Sequence, residues 1–250
     1  MAGLGGSFDS GKGGSNGRNA QALQMGLVFT TRATVTLAAN DAVRAASENE
    51  GQLQALQAGL ARGLAPLYAK GRSVTAVSIA TGQALAAVKD PRRVAVTLLN
   101  PPPTTVKAWA QSVTHDGVSQ TEIPNARLLF AGDMVRGGET LQDANILKIQ
   151  VRYCMPLIVP FVAQVIVALE EAWSPTPFTA TCAHSQGLPV SVVAAALMQS
   201  PLTKAHAQAL GQGTAAAGTT PTSGGQAPGG GSSSSGPSCH ASPPAYGSSA

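Results

Sequence analysis

The sequence predicts an α+β fold in which a long N-terminal helix and further helices pack on an antiparallel sheet of three or more strands. In the first part of the chain, three segments between residues 21 and 90 read as helices, the first from its lack of proline and the other two from apolar residues at helical spacing. In the second part they alternate with polar or small residues in three segments, which is typical of half-buried strands. Because the helices precede the strands without regular βαβ alternation, we expect an antiparallel sheet.

The first predicted helix covers residues 21–47, which contain no proline and one glycine. Its stretch FTTRATVTL is rich in β-branched residues, which lowers helix propensity, whereas the alanines and leucines around it favour a helix. Ser47-Glu48-Asn49-Glu50 then matches the capping-box pattern and predicts the start of a second helix. Gly63 and Pro66 are expected to loosen or end that helix. It is indicated by five leucines at helical spacing: Leu53, Leu56, Leu60, Leu64 and Leu67.

A third helix is predicted to start at Ser73 and to end at Asp90-Pro91. Its apolar face is expected to consist of Val74, Val77, Leu85 and Val88.

The predicted strands follow. The first is Val94–Leu98, stopped by Asn100 and three prolines. The second is marked by Leu147, Ile149, Val151 and Tyr153 on one side and by Lys148, Gln150 and Arg152 on the other. The third runs from Leu188 to Met198, and residues 104–140 are predicted to be irregular.

The most hydrophobic segment, residues 143–173, is predicted to be a strand and a core helix, and not a membrane span. The alternation of Lys148, Gln150 and Arg152 places all three on one face only in a strand, Ile146–Tyr153. The remaining helix, Leu157–Leu169, contains a proline and is shorter than the roughly 20 apolar residues that a span requires.

Composition bounds the organisation of the chain and its partners. Of 250 residues only 11% are charged, and the net charge of +4 is spread along the sequence. No run of Lys and Arg with interleaved aromatic residues occurs, so no nucleic-acid partner is predicted. We expect a flexible Gly-rich leader at 1–20, a folded domain at 21–205, and a disordered Gly/Ser/Pro-rich tail at 206–250.

No residue is assigned a catalytic, cofactor-binding or metal-binding role, and the chain is not predicted to be an enzyme. Gly6–Lys12 has the spacing of a phosphate-binding loop, but Gly13 replaces the Ser or Thr that holds magnesium. The histidines are scattered, and although His184 and Ser185 near Cys182 could outline a metal or nucleophile site, no established catalytic motif supports it.

Cysteine usage leaves two alternatives open. The three cysteines, Cys154, Cys182 and Cys239, fit no zinc spacing. In an oxidising compartment Cys154 and Cys182 are the pair that could form a disulfide, because both lie in sequence that is predicted to be ordered. The alternative is two buried, unreactive thiols.

Six segments, in order along residues 21–201, resemble the TadE/TadG-like pilus-assembly proteins of bacterial tight-adherence (Flp-type) pili. They are QALQMGLVFTTRATVTLAANDAVRAASENEG, LARGLAPLYAKG, VTLLNPPP, IPNARLLF, GETLQDANILKIQVRYCMPLIVPFVAQVI and LPVSVVAAALMQSP. The resemblance implies a pilin-like fold and a non-catalytic, minor-pilin-like role in the cell envelope. It also implies other pilus-assembly proteins or pilins as partners, an exported domain, and an N-terminal helix anchored in the inner membrane.

The N-terminus departs from the family pattern. An apolar anchor should precede Gln21, where this chain has the Gly-rich leader with neither a signal peptide nor a span. Three explanations stay open: a start codon assigned too late, removal of the anchor from the expressed chain, or a soluble paralogue. The alternative functions are a secreted or surface binding domain of an unrelated family with a disordered tail, and an enzyme that uses the loops around His115 and His184.

Overall fold

The computed structural model describes residues 13–115, 117–157 and 176–212, all within the first of the two compact units of the chain, Met1–Ala217. Its helices are α1 (Gly13–Glu48), α2 (Leu53–Tyr68), α3 (Val74–Lys89), α4 (Pro103–Trp109), α5 (Leu141–Ala144), α6 (Pro177–His184) and α7 (Lys204–Gln212). Its strands are β1 (Val94–Asn100), β2 (Gln111–His115), β3 (Val118–Ile123), β4 (Val135–Arg136), β5 (Glu139–Thr140), β6 (Ile146–Pro156), β7 (Gly187–Leu197) and β8 (Leu202–Thr203).

The main sheet is antiparallel with the strand order β1-β6-β7, which confirms the predicted α+β class. The central strand β6 alternates as predicted, with Leu147, Ile149 and Val151 buried and Lys148 exposed. Asn100, at the end of β1, donates from Nδ2 to the carbonyl oxygens of Asp143 (2.8 Å) and Ile146 (2.7 Å). The Asn-Pro stop therefore also fixes the start of β6.

Helices α1, α2 and α3 cover one face of this sheet. α1 packs on β7 and β6, α2 lies between α1 and α3, and α3 reaches β1. The core contains the second half of α1, from Val35 to Ala46, the leucines of α2, and the inward side chains of β1, β6 and β7.

A pair of tyrosines joins α2 to the central strand. The hydroxyl groups of Tyr68, at the end of α2, and Tyr153, on β6, lie 3.2 Å apart. Burial first, and then the hydrogen bond with Tyr68, raises the pKa of Tyr153 well above its usual value. The pair therefore keeps the Tyr153 hydroxyl protonated in the folded chain.

Gly59 and Gly63 allow α1 and α2 to approach closely. A Cβ at Gly59 would lie 2.8 Å from the Cα of Ala42, and one at Gly63 would lie 2.6 Å from the Cβ of Ala38 and still closer to its Cα. The prediction that Gly63 and Pro66 loosen or end the second helix is wrong, because α2 continues to Tyr68. Gly63 lies at a helix crossing, and Pro66 lies in the last turn.

The predicted capping box is also wrong. Ser47 is still inside α1, where its Oγ donates to the Arg44 carbonyl oxygen at 2.8 Å, and the N-cap of α2 is Gln52. Between the helices the backbone turns through left-handed φ values of 54° at Glu50 and 77° at Gly51. Local turn geometry, and not the Ser-x-x-Glu pattern, therefore sets the start of α2.

The third helix is confirmed, but its buried face differs from the prediction. Ser73 is the N-cap, and its Oγ accepts from the backbone N–H of Ala76 at 3.1 Å. Val74 and Val77 are exposed and Leu85 is only partly buried, whereas the small residues Ala80, Ala84 and Ala87 are buried together with Val88. The alanine face permits close packing on α2.

Residues 104–140, predicted to be irregular, contain α4, the antiparallel pair β2–β3, a 3₁₀ turn at Leu128–Phe130 and the short pair β4–β5. Their largely polar, exposed strands lack the apolar alternation on which a strand prediction depends. Long-range hydrogen bonds hold them. Trp109 Nε1 donates to the Glu139 carbonyl oxygen and Thr105 Oγ1 to the Gly137 carbonyl oxygen, both at 3.1 Å.

The ordered elements extend past the predicted domain limits. α1 begins at Gly13, inside the segment expected to be a leader, and α7 continues to Gln212 because Ala207 and Leu210 are buried against the core. The phosphate-loop spacing at Gly6–Lys12, the tail from residue 213 onward, and the predicted helix Leu157–Leu169 beyond its first residue lie outside the described residues. Among the helices of the described part, none is both long enough and apolar enough to cross a membrane.

We predict that Gly63→Ala destabilises the fold by about 1–3 kcal/mol, because the overlap with Ala38 outweighs the higher helix propensity of alanine. The matched control is Gly82→Ala in α3, where an added Cβ meets nothing within 4 Å, so the same substitution should be neutral or stabilising by up to about 1 kcal/mol. Urea denaturation of both variants measures the difference. Equal stability of the two variants would contradict the close crossing.

Candidate interaction surface

The histidines considered for catalysis do not form a catalytic arrangement with one another. His115, at the end of β2, is half-exposed, and its Nε2 lies 3.3 Å from Oε1 of the buried Glu122 on β3. Glu122 Oε2 also accepts from Gln120 Nε2 at 3.2 Å. His206 Nδ1 lies 3.0 Å from the Glu50 carbonyl oxygen in the α1–α2 turn. Each of these contacts supports a turn or a hairpin.

The grouping of Cys182, His184 and Ser185 does not supply a nucleophile. Cys182 is bonded to Cys154, so it carries no thiol. Ser185 Oγ donates to the Cys182 carbonyl oxygen at 2.7 Å at the end of α6, and the side chain of His184 is exposed. Within residues 13–115, 117–157 and 176–212, no group of three His, Cys, Asp or Glu side chains is placed to hold a metal ion.

The disulfide attaches α6 to the end of the central strand. Cys154 lies on β6 and Cys182 on α6, with their Cα atoms 5.6 Å apart. Together with Ala95 of β1 and Phe178 of α6, the two cysteines form a small buried cluster on the face of the sheet opposite α1 and α2. Of the two alternatives for these cysteines, the structure contains the bonded pair.

Gly187 makes room for the disulfide at the start of β7. A Cβ at this position would overlap the Sγ atom of Cys154 and would lie 2.8 Å from Sγ of Cys182. The absence of a side chain therefore lets β7 pair with β6 directly beside the bridge.

The first half of α1 exposes large apolar side chains. Leu23, Met25, Leu27 and Phe29 are all exposed, Phe29 to 67%, and Arg32 is the only charged residue between Arg18 and Asp41. The α1–α2 contacts run antiparallel, which places the C-terminal end of α2 about level with residue 33 of α1. We call residues 23–34, which lie beyond that level, the exposed half of α1; within it Gln24 and Thr31 are buried and Val28 is partly buried.

A second apolar surface is formed by residues 128–135, which we call the 128–135 loop. Leu129 and Phe130 are 93% and 85% exposed, and Met134 and Val135 are also exposed. The loop begins after Arg127, whose backbone is left-handed with φ of 57°, and passes Gly132 at φ of 67°. Monomeric proteins rarely expose clustered large apolar residues without a contact to make, so both surfaces are candidates for protein–protein contact.

Sequence reasoning missed both surfaces because it treated apolar residues as core. The signal in LLFAGDMV was available: its apolar residues follow neither the strand nor the helix period and stand between Pro124-Asn125 and Gly137-Gly138. In α1, apolar residues at 23, 25, 27 and 29 fall on several sides of the helix, so a single buried stripe cannot hold them all.

No protein-family model, curated protein or solved structure matches this chain.

We predict that Gly187→Ala lowers the stability of the oxidised protein by about 1–3 kcal/mol, because the new methyl group displaces the disulfide or the β6–β7 pair. In the Cys154→Ala, Cys182→Ala background both sulfur atoms are gone, so Gly187→Ala should cost clearly less there. Thermal or urea denaturation of the four chains gives the coupling energy. An equal cost in both backgrounds would show that Gly187 does not accommodate a bridge.

Proposed function

We propose that this chain is a non-catalytic, minor-pilin-like component of tight-adherence (Flp-type) pilus assembly that acts through protein–protein contacts. The observation that carries the proposal is the division of α1. Its second half is buried against α2 and the antiparallel sheet, while its first half exposes Leu23, Met25, Leu27 and Phe29. The assignment to pilus assembly in particular rests on the six sequence segments that resemble the TadE/TadG-like proteins.

The exposed half of α1 is the contact we assign to neighbouring subunits. A helix of 36 residues is about 54 Å long, and its fully buried apolar residues among those described lie from Val35 onward, while Val28 is partly buried against the core. Leu23 and Leu27 share one side of the helix, and Met25 and Phe29 share another. Burying a large apolar side chain contributes on the order of 1.5–3 kcal/mol, so two helix–helix contacts, one on each side, can together offset much of the entropy cost of association. Partners with an apolar helix, such as pilins or other assembly subunits, fit this surface.

The disulfide supports an exported position for the domain. Structural disulfides persist in oxidising compartments and are rare in the cytosol. Cell-envelope localisation, and attachment to the inner membrane through a helix preceding Gln21, are part of the same proposal and rest on the family resemblance.

A second candidate function is a secreted or surface binding domain of an unrelated family. The 128–135 loop favours it, because Leu129 and Phe130 are nearly fully exposed on a short turn, as expected of side chains that insert into a pocket of a partner. The two functions differ in which surface is required: the exposed half of α1 for assembly, or the 128–135 loop for binding.

For the assembly function we predict that Phe29→Asp reduces the number of surface pili by about tenfold or more. The variant is expressed in cells of the source bacterium from which the wild-type gene has been deleted. A carboxylate in a buried apolar contact costs more than the 1.4 kcal/mol that corresponds to a factor of ten. Electron microscopy of negatively stained cells counts the pili, and immunoblotting of the variant verifies that it accumulates.

The matched control is Thr75→Asp, which places the same charge at an exposed position on α3 and should leave piliation at the wild-type level. If deletion of the gene leaves piliation unchanged, the pilus assignment is wrong. If deletion abolishes pili but Phe29→Asp restores them fully, the exposed half of α1 is not the contact. Restoration by Phe29→Asp but not by Phe130→Asp would favour the 128–135 loop as the essential surface.

A further inference from the structure

Within the part of the chain that the structure describes, no strand pairs with the outer edge of β7. β7 pairs with β6 along its whole length in a continuous antiparallel register, and β6 lies on one side of it only. Directly beyond the two ends of this ladder, the N–H of Leu157 donates to the Gln186 carbonyl oxygen and the N–H of Met198 to the Asn145 carbonyl oxygen. Because hydrogen-bonded and non-hydrogen-bonded pairs alternate, the even-numbered residues of β7 bond to β6 and the odd-numbered ones point outward.

The outward groups belong to Gly187, Pro189, Ser191, Val193, Ala195 and Leu197. Across the described residues, none of the outward N–H and C=O groups from Ser191 to Leu197 makes a backbone hydrogen bond. Val193 and Leu197 are 50% and 58% exposed, so no other described element covers this part of the strand. An open edge of this kind is a template for another strand.

The edge is protected at one end only. Folded proteins usually block open edges with charged side chains or proline, and β7 contains no charged residue. Pro189 lacks its N–H on the outward side, which ends any pairing there. What remains is the run Ser191–Leu197, with four outward N–H groups and four outward C=O groups.

We propose that this edge binds β7 of a second copy of the chain, antiparallel and about a two-fold axis at Ala194. In this register Ser191 pairs with Leu197 of the second copy and Val193 pairs with its Ala195, each pair exchanging two hydrogen bonds. The two three-stranded sheets then become one sheet of six strands, a common size. The inference does not depend on the pilus assignment.

The second copy is the occupant that the sequence of the edge fits. The axis falls in the middle of the open run, so every outward N–H and C=O from Ser191 to Leu197 finds a partner, and Pro189 lies outside the paired stretch. No like charges face each other, because the strand has none. Ala194, Ala195 and Ala196 keep side chains small around the axis, and Leu197 of one copy covers Ser191 of the other.

The helix layer on the same strand is compatible with this arrangement. α1 packs on β7 with α2 on one flank. The flank of α1 opposite the Ala38 and Ala42 contacts carries the exposed side chains of Ala33, Thr36, Asn40 and Arg44. Arg44 is the charged residue of this set, so like charges are absent from the stretch Ala33–Asn40, where two copies of α1 can lie side by side under the joined sheet.

Disulfide trapping between two variants tests the register. In a Cys239→Ser background, Val193→Cys and Ala195→Cys chains are oxidised separately and as a mixture. The proposal expects cross-linked dimers mainly in the mixture, since residues 193 and 195 of different copies lie about 5.5 Å apart between Cα atoms, within disulfide range. The same residue of the two copies, such as 193 and 193, lies diagonally across the pair at about 7–8 Å between Cα atoms, which is too far for a disulfide. Equal cross-linking in all three samples, or none, overturns the proposal.

Sedimentation equilibrium of the full chain tests the dimer itself. Wild type is expected to show twice the monomer mass, and Val193→Lys to lose this doubling because a lysine on the edge opposes strand pairing. The matched control is Val77→Lys on α3, which alters a valine that is likewise 50% exposed and should stay dimeric. A wild-type chain that is monomeric at all concentrations, or a Val193→Lys chain that stays dimeric, overturns the proposal.

Discussion

The close contact between Gly59 and Gly63 of α2 and Ala42 and Ala38 of α1 is the constraint on which the rest of the structure depends. It brings the two helices together along one side of the main sheet, so that the second half of α1 is buried between α2 and β7. The same contact sets the helix register. Because α2 ends about level with residue 33, the preceding part of α1 has no α2 to pack on, and Leu23, Met25, Leu27 and Phe29 stay exposed while Val28 is partly buried.

The surfaces that remain suit different partners. The exposed half of α1 and the 128–135 loop offer apolar side chains, which bind by burial and tolerate varied partner sequences. The edge of β7 offers backbone N–H and C=O groups, which require a strand in a fixed register. The disulfide at Cys154 and Cys182 holds α6 at one end of the sheet face opposite α1, and the outward N–H and C=O groups from Ser191 to Leu197 make no backbone hydrogen bond to α6. Helix-based assembly and edge pairing can therefore occur in the same molecule.

Much of the fold could be predicted from local signals, and the exceptions have physical reasons. The Ser73 cap, the alternation in β6 and the Asn100 stop of β1 are local, so the sequence alone indicated them. The hairpin β2–β3 was not predicted, because its exposed polar strands show no apolar period. Gly63 allows the close crossing of α1 and α2 only because Ala38 lies opposite it. Val77 is exposed because of the way α3 is oriented on α2. The two candidate surfaces likewise depend on tertiary structure, although the irregular apolar pattern of LLFAGDMV is a sequence signal for one of them.

The division of α1 into a packed and an exposed half is the central claim, and amide hydrogen exchange of the isolated full chain tests it most directly. The account predicts slow exchange, close to the limit of global unfolding, for residues 35–48, whose side chains contribute to the core. It predicts markedly faster exchange for residues 23–34, where Leu23, Met25, Leu27 and Phe29 are exposed and fewer buried contacts have to open. Uniform slow exchange along the whole of α1 would contradict the account, because it would mean that the exposed half is already packed in the isolated chain.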